Sequence, residues 1–443
     1  MQTNREKKAM ESLKIDALHK YLASEFNKFA DNRDDNLSIT MQDALMSGYA
    51  VFSLKDKSLL QFNNERPNRA ENLKTVYKVN KAPSDSAMRV ILDEVKNEPI
   101  NEVYLGLVKK LRSGGILKGY SYMNGYVLVS VDGVHHYSSE TVKCEHCLEW
   151  TKSNGVKEYR HSMLSAAVVH PNKKEVLAIA HEPIVNQDGK EKNDCERNAA
   201  KRLIPRLKEL FAKEKVAVVE DALGANGPHI RALKKEGFRF IIGVKPDGNK
   251  YLFDLFERLD NQGKVNGCQI EEKRFIHQFR YVNDLPLNSD NRDVRVNFLE
   301  YRQVDKTGKQ KDKCFTWITD FYLTKRRVYK VMRGGRARWK IENETFNTLK
   351  NQGYNFEHNY GHGKKNLCSV LALLMMLAFL VDQIQQGWNE LFQTAWRKNQ
   401  TRIALWEKVR QKFNEYAVAS MEMIYKLIIG SLKVRYEIYE DSG

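Results

Sequence analysis

The sequence lacks the features that would direct a protein out of the cytosol or into a membrane. Its first residues, MQTNREKKAM, are charged rather than apolar, unlike the start of a secretory leader. Its longest apolar run extends only from Leu367 to Val381, which is shorter than the roughly 20 residues of a membrane-spanning helix. We therefore expect a cytoplasmic protein without membrane contact, in which this run forms a buried helix.

Cysteine is scarce, with six residues in a chain of 443, so a disulfide framework is not expected. Only Cys144 and Cys147 are close neighbours, and a second Cys-x-x-Cys pair is missing. The pair could supply half of a structural zinc site, or it could be two free cytosolic thiols. Other residues of the right chemistry are scattered nearby: His135, His136, His146, His161 and Cys195.

Acidic residues are in the minority, with 56 Asp and Glu against 73 Lys and Arg, which gives a formal net charge of +17. A surplus of this size suits a polyanionic partner such as nucleic acid, because each neutralised phosphate releases a counterion. The alternative is a merely soluble basic protein. The length predicts two or three structural units, and the chain shows neither internal repeats nor low-complexity tracts.

The middle of the chain alternates between strand-like and helix-like segments. Three β-rich runs, GYVLVSVDG, HSMLSAAVVH and EVLAIAHEPI, predict an antiparallel meander. A helix over Asp194 to Phe211 follows, and then VAVVED, GPHIRALKKEG and RFIIGVK predict strand, helix and strand with parallel pairing. This order is typical of a ribonuclease-H-like domain, so we expect an α/β fold with a mixed sheet flanked by helices.

Changes of pattern along the chain divide it into five segments. Residues 1–115 form a mostly helical N-terminal module, interpreted as DNA-binding, and residues 120–248 form the first part of the catalytic domain. Residues 249–330 are a β-rich insertion, residues 331–385 complete the catalytic domain with a Glu-bearing helix, and residues 386–443 are a helical C-terminal region.

Two carboxylates end apolar strands in this reading: Asp132 follows VLVSV and Asp221 follows VAVVE. If the strands are neighbours, the two carboxylates meet, and their repulsion is relieved chiefly by divalent cations such as Mg²⁺, for which Mn²⁺ can substitute. Two such ions can activate an attacking oxygen and stabilise a leaving oxygen at phosphorus. The alternative for either residue alone is an ordinary turn former.

The segment GGRARWKIENETFNTLKNQG offers a third carboxylate. On an α-helical projection of about 100° per residue, Glu342 falls within the apolar stripe and Glu344 falls on the opposite side. An acid in a packed face needs a partner or a metal, which favours Glu342 as the ligand. Arg338 and Lys350 flank it and could hold phosphates, although a plain Arg338–Glu342 ion pair at four-residue spacing is the alternative.

Three segments resemble the catalytic blocks of insertion-sequence DDE transposases, in the large group with a β-rich insertion before the final Glu. They are SVDGVHHYSS, VVEDALGANGPHIRALKKEGFRFIIGVKP and RARWKIENETFNTLKNQGYNFEHNYGHG. The resemblance spans at least residues 125–365, and YAVFSLKDKSLLQF is similar to the leading region of such proteins. It implies Asp132, Asp221 and Glu342 as the catalytic and metal-binding triad.

The chain departs from that group at two positions of the signature around the glutamate, which runs Tyr, two residues, Arg, three residues, Glu, six residues, Lys. Arg338 and Glu342 fit, but Gly335 stands in place of the Tyr, and Lys350 comes one position later than the signature places its Lys. These departures bear on the roles of that Tyr and Lys and not on the acidic triad.

The resemblance also implies residues that hold the transposon end. It makes Arg338, Trp339 and Lys350 candidates for DNA binding, although Trp339 could equally belong to the core. Lys245, just after RFIIGVK, could meet a phosphate near the site, although a solvated lysine is the default at a strand end.

The expected function is that of a DNA transposase that binds insertion-sequence ends, cleaves them and transfers the 3′ ends to target DNA. Its expected partners are double-stranded DNA and a second copy of the chain on paired ends. Its expected location is the cytoplasm, in association with the nucleoid. The alternatives are a structure-specific nuclease of the same fold and a basic DNA-binding protein without catalysis.

Overall fold

The computed structural model describes residues 4–31, 33, 38–186 and 192–434, and the chain divides into two compact units. The first unit combines both ends of the chain, Met1–Val103 and Thr348–Gly443, and the second is the continuous stretch Tyr104–Asn347.

The described helices and strands have the following bounds. The α-helices are α1 Asn4–Glu11, α2 Ile15–Phe26, α3 Met41–Ser53, α4 Leu59–Glu65, α5 Ala70–Tyr77, α6 Asp85–Asp93, α7 Glu98–Ser113, α8 Lys192–Leu210, α9 Gly227–Lys235, α10 Lys250–Asn261, α11 Val328–Arg336, α12 Asn347–Asn351, α13 Leu367–Trp388, α14 Glu390–Asn399, α15 Arg402–Glu415 and α16 Met421–Ile429. The strands are β1 Ser121–Tyr122, β2 Tyr126–Ser139, β3 Leu148–Thr151, β4 Lys157–Val169, β5 Leu177–Ile184, β6 Lys215–Glu220, β7 Arg239–Gly243, β8 Asn266–Glu271, β9 Phe275–Pro286, β10 Arg295–Asp305 and β11 Lys313–Thr319.

The first unit is helical, and residues from the two ends of the chain share its core. Lys55, next to α3, donates a hydrogen bond to Asp382 of α13, and both side chains are buried. Asn72 of α5 donates to the Phe413 carbonyl of α15 at 2.7 Å. A buried charge or amide is costly without a partner, so these contacts require both ends of the chain to fold together.

Helix α13 is the central apolar element of the first unit. By length and composition it could cross a membrane, but 94% of its most apolar window is buried inside the structure. This burial confirms the predicted buried helix over Leu367 to Val381.

The second unit contains one mixed sheet of 11 strands, with its main path in the order β3-β4-β2-β6-β7-β11-β10-β9-β8. Strands β2, β6 and β7 run parallel, and the other pairings are antiparallel. The predicted meander is confirmed as β2, β4 and β5, in which β4 pairs antiparallel with both neighbours. The α/β class with a mixed sheet flanked by helices is therefore confirmed.

The β-rich insertion continues this sheet. Strand β11 pairs antiparallel with β7, with Ile241 opposite Thr319, and β10, β9 and β8 follow in order. The four strands of the insertion therefore extend the sheet from the β7 edge.

Candidate active site

Asp132 and Asp221 are brought to the same level of two neighbouring parallel strands. The register of β2 and β6 pairs Ser130 with Val219, and continuing it by two residues on each strand brings Asp132 level with Asp221. Strand β6 ends at Glu220, so Asp221 leaves the sheet as predicted. Its Oδ1 accepts a hydrogen bond from the Leu223 N–H at 2.9 Å, which fixes the carboxylate at the start of a short 3₁₀ turn.

Asp132 differs from expectation in one respect, because it lies inside its strand and not at the end. Strand β2 continues to Ser139, since the residues after Asp132 go on pairing with β4 as far as Ser139 opposite Tyr159. Asp132 nevertheless stands where the parallel partner β6 ends, so one side of β2 is uncovered at that level.

Arg338 connects two of the predicted acids. Its Nη1 donates to Asp132 Oδ2 at 3.2 Å, and its Nη2 lies 3.9 Å from Glu342 Oε2. The Arg338 carbonyl accepts a hydrogen bond from Ser130 Oγ at 3.1 Å, which ties this backbone to β2. The predicted Arg338–Glu342 pair is therefore present, and it also includes Asp132.

Glu342 lies on a π-helical turn, Ile341–Phe346, and not on a regular α-helix. The projection made from the sequence assumed α-helical spacing, and a π turn winds more slowly. The Glu342 side chain is 45% exposed and is not packed into an apolar stripe. Glu344 instead acts on Lys340. Burial lowers the pKa of that lysine, and the charge of Glu344 offsets part of the lowering. Of the two acids, Glu342 is the one that contributes to the charge around Asp132.

The electrostatics of Asp132 reflect a crowded acidic site. The pKa of its carboxyl is raised to about 6, chiefly by burial and also by the charges of Asp221 and Glu342. Arg338 and the Gly133 N–H, which donates to Asp132 Oδ1 at 3.0 Å, act in the opposite direction. The site therefore carries more negative charge than Arg338 alone neutralises.

A small cavity of about 30 Å³ opens beside the two aspartates, and its lining contains ionisable residues that the sequence analysis did not select. They are Glu196, Arg197, Glu220 and His229. Glu196 of α8 lies so close to Gly133 that a Cβ there would come within 2.5 Å of Glu196 Oε1. Nothing in the local pattern of α8 marks Glu196, because its position follows from the packing of the helix on the sheet.

Glu220 and His229 form a buried pair next to Asp221. His229 Nε2 lies 2.6 Å from Glu220 Oε2, and the Asn226 side chain caps α9 by accepting from the His229 N–H at 3.0 Å. Burial alone would lower the pKa of His229, but the Glu220 carboxylate outweighs burial and raises it. The pair therefore lines the same cavity as the two aspartates.

The oxygen donors suit a divalent cation in kind, but their spacing is not that of a closed ion cage. Within the described ranges, Asp132, Asp221 and Glu342 do not come as a set within 4.8 Å of one another. Arg338 holds one oxygen of Asp132, and the half-exposed Glu342 can move. For Asp132 Oδ2 to bind Mg²⁺, Arg338 would have to release it, and all three acids could share one ion only after a change in their spacing.

The predicted DNA-binding residues fall into three environments. Trp339 is 48% exposed, with the Arg338 guanidinium 5.1 Å from its ring, so its alternative assignment to the core is wrong. Lys245 is exposed just after β7. Lys350 belongs to the first unit, where it pairs with Glu357 at 2.6 Å.

Basic residues near Trp339 were missed by sequence reasoning. Arg333 and Arg336 of α11 and Lys340 line one depression, and the two arginines bond neutral partners, Asn172 at 2.6 Å and Gln303 at 3.1 Å. The charge of both arginines is therefore left uncompensated by these partners. In the sequence these arginines stand three residues apart in α11 and so share one face of the helix. Basic helix faces are common, however, and this spacing alone does not identify a DNA-binding surface.

Cys144, Cys147 and His161 form a separate cluster that could hold a metal ion. Their ligand atoms all lie within 4.8 Å of one another. The sequence selected the two cysteines and named several further residues of suitable chemistry, and the fold brings His161 of β4 to the cysteines.

Comparison of the sequence with protein-family models returns no match, and comparison with curated proteins returns none either. The assignment of a function therefore rests on the residues and their geometry.

Proposed function

We propose that the protein is a DDE-type DNA transposase, which cleaves the ends of an insertion sequence and joins them to target DNA. The observation that carries the proposal is the level placement of Asp132 and Asp221 on adjacent parallel strands, with Glu342 contributing to the same electrostatic site. Three carboxylates from distant parts of the chain influence one another electrostatically here, which costs free energy that a purely structural site would avoid.

The strand order supports a ribonuclease-H-like core. Strands β5, β4, β2, β6 and β7 lie side by side, with the first three antiparallel and β2, β6 and β7 parallel. Helix α8 joins the meander to β6, and α9 joins β6 to β7. This is the order that the sequence predicts for such a domain, and it places the first and fourth strands of the core next to each other.

Asp132, Asp221 and Glu342 would hold the Mg²⁺ ions, with Mn²⁺ as a substitute. When bound, such ions supply activation of the attacking oxygen and stabilisation of the leaving oxygen at phosphorus. The protein itself keeps the acidic side chains in place near one another before any ion binds. Arg338 neutralises Asp132 in the absence of cations and can turn to a phosphate once the acid is otherwise compensated.

The basic residues around the site suit DNA as the substrate. The Arg338 guanidinium lies 5.1 Å from the centroid of the exposed Trp339 ring, and Arg333 and Arg336 of α11 donate hydrogen bonds to the neutral side chains of Asn172 and Gln303. Hydrogen bonds to neutral groups leave the charge of an arginine available to a phosphate, and an exposed ring can pack against a base or sugar. Both reaction steps are in-line displacements with oxygen as attacker and leaving group, so a single site can serve cleavage and joining.

One observation favours the alternative of a DNA-binding protein without catalysis. Arg338 bridges Asp132 and Glu342, and the three acids are too far apart to share one ion as they stand. An arginine that stays in this position would stabilise the acids without any metal. The two proposals predict opposite results for cleavage and the same result for binding.

The test is cleavage of a supercoiled plasmid that carries the DNA flanking the gene, in Mg²⁺ and in Mn²⁺. Asp132→Ala, Asp221→Ala and Glu342→Ala should abolish cutting at those ends and keep DNA binding. Glu344→Ala is the matched control, because Glu344 lies on the same π turn but acts on Lys340, and it should cut normally.

Joining is tested with pre-cut ends and a second plasmid as target. A wild-type protein that cuts but never joins would support a nuclease of the same fold in place of a transposase. A wild-type protein that binds the ends and cuts in neither metal would leave only the DNA-binding alternative. Crosslinking on paired ends tests the proposed homodimer, and microscopy of the tagged protein tests association with the nucleoid.

A further inference from the structure

A turn and a strand of the second unit place two thiols and an imidazole around one point, away from the acidic site. Cys144 and Cys147 lie in the connection between β2 and β3, and His161 lies on β4. The two Sγ atoms are 3.8 Å apart, and each is 3.4 Å from His161 Nε2.

These distances match the edges of a coordination tetrahedron. A tetrahedral zinc ion with bonds of about 2.3 Å to sulfur and about 2.0 Å to nitrogen separates two sulfurs by about 3.8 Å and a sulfur from a nitrogen by about 3.5 Å. The observed 3.8 and 3.4 Å leave room for one ion at bonding distance from all three atoms. A disulfide would bring the sulfurs to about 2.0 Å, and no disulfide joins these two cysteines.

The surroundings suit thiolate ligands. The Cys144 N–H points to Cys147 Sγ at 3.4 Å, and the Cys147 N–H donates to the Cys144 carbonyl at 3.3 Å, which closes the turn. Cys147 and His161 are buried and Cys144 is partly exposed, so an ion could enter from one side. Burying three polar ligand groups against each other is favourable mainly when an ion pairs with them.

We propose that Cys144, Cys147 and His161 bind a structural zinc ion. Two soft sulfurs and an imidazole in tetrahedral spacing select zinc over Mg²⁺, which prefers oxygen ligands. One more side chain would complete the tetrahedron, as in other structural zinc sites. This inference is independent of the transposase proposal, because it uses none of the acidic residues.

The ion would stabilise the connection between β2 and β3, which has little regular structure. Residues 140–147 form no helix or strand, and the zinc would fasten their turn to β4, opposite Tyr137 of β2. Tyr137 is about 16 Å along β2 from Asp132, at about 3.3 Å per residue. The zinc is therefore structural, and it would hold the β3–β4 hairpin at the end of the sheet.

The experiment measures zinc in the full-length purified protein by elemental analysis and its affinity by competition with a chromophoric chelator. We expect about one zinc per chain. Cys144→Ser, Cys147→Ser and His161→Ala should each weaken the zinc affinity by at least about 100-fold, because changing a residue that merely hydrogen-bonds to a metal ligand already costs up to that much. Cys314→Ser is the matched control, because Cys314 is an exposed thiol on β11 and should keep full zinc content.

Two further measurements separate loss of metal from loss of folding. His161→Cys supplies another zinc ligand and should keep the metal, whereas a merely structural histidine would not be rescued in this way. Co²⁺ substitution should give the visible bands of a tetrahedral ion with thiolate charge transfer, and X-ray absorption should count two sulfurs. Zinc that stays in all three ligand variants, a Cys144–Cys147 disulfide by mass, or bound iron in place of zinc would each overturn the proposal.

Discussion

Arg338 Nη1 donates a hydrogen bond to Asp132 Oδ2 at 3.2 Å, so the residue that the resemblance assigns to DNA instead pairs with a catalytic candidate in the protein alone. The same guanidinium lies 3.9 Å from Glu342 Oε2. In this geometry the protein supplies the cation, until another cation competes for the carboxylate oxygens or a phosphate competes for the guanidinium.

Arg338→Gln should raise the pKa of Asp132 above its already elevated value of about 6, because the arginine opposes the effect of burial on that carboxyl. The acidic limb of the cleavage–pH profile should then move to higher pH. Arg336→Gln is the control, since Arg336 bonds Gln303 at 3.1 Å and is not among the causes of the Asp132 shift. An unchanged profile in Arg338→Gln would show that the pair does not govern the acid.

The raised pKa of Asp132 also predicts a pH-dependent stability. A carboxyl whose folded pKa of about 6 exceeds its unfolded value of about 3.9 stabilises the fold below pH 4, and this stability is lost as the pH rises through 6. Asp132→Asn should therefore be more stable than wild type at pH 8 by up to about 3 kcal/mol.

Near pH 4 the two proteins should unfold alike, because the aspartic acid is then neutral as well. The measurement is chemical denaturation at a series of pH values in buffer without divalent cations. A variant that is no more stable than wild type at pH 8 would contradict the assigned shift.

Gly335 packs against Trp317, which leaves no space for a larger side chain at this position. A Cβ at Gly335 would lie 2.5 Å from Trp317 Nε1, so the indole fills the space that a larger side chain needs. Gly335→Ala should lower the free energy of unfolding by about 1–3 kcal/mol through overpacking. Gly119→Ala, where a Cβ meets nothing within 4 Å, is the control.

A double-mutant cycle with Trp317→Leu tests this cause. If the indole is the obstacle, Gly335→Ala should cost much less in the Trp317→Leu background. Equal losses in both backgrounds would mean that the glycine is required by the backbone of α11.

The buried pair of Lys55 and Asp382 predicts a strong effect in the first unit. Lys55→Met leaves the buried Asp382 carboxylate without its cation, although the Tyr354 hydroxyl still donates to it at 2.6 Å, and should cost about 3–5 kcal/mol. Lys55→Met with Asp382→Leu should recover most of the loss, because no charge is then left unpaired.

The matched control is Lys365→Met, which breaks an exposed pair with Glu94 and should cost less than about 1 kcal/mol. Thermal and chemical unfolding of the four proteins measures these differences. A Lys55→Met loss no greater than that of Lys365→Met would show that Asp382 is neutral or solvated in the folded protein.

Local sequence was sufficient for the elements of the sheet. The apolar runs of β2, β4, β5, β6 and β7 are short, rich in β-branched residues and bounded by turn formers, so each was predictable from its own residues. The same local signal placed Asp221 directly after β6 and predicted the burial of α13.

The tertiary structure decided which residues distant in sequence lie in contact. His161 joins Cys144 and Cys147, Glu196 lies against Gly133, and both ends of the chain share one unit, although no local pattern signals any of these. The merging of the insertion into the sheet depends on the pairing of β11 with β7, and the setting of Glu342 depends on a π turn that α-helical spacing does not foresee. The physical reason is that propensity and periodicity act between residues close in sequence, whereas sites are formed by contacts between distant ones. The free energy of those contacts depends on burial and charge that exist only after the chain has folded.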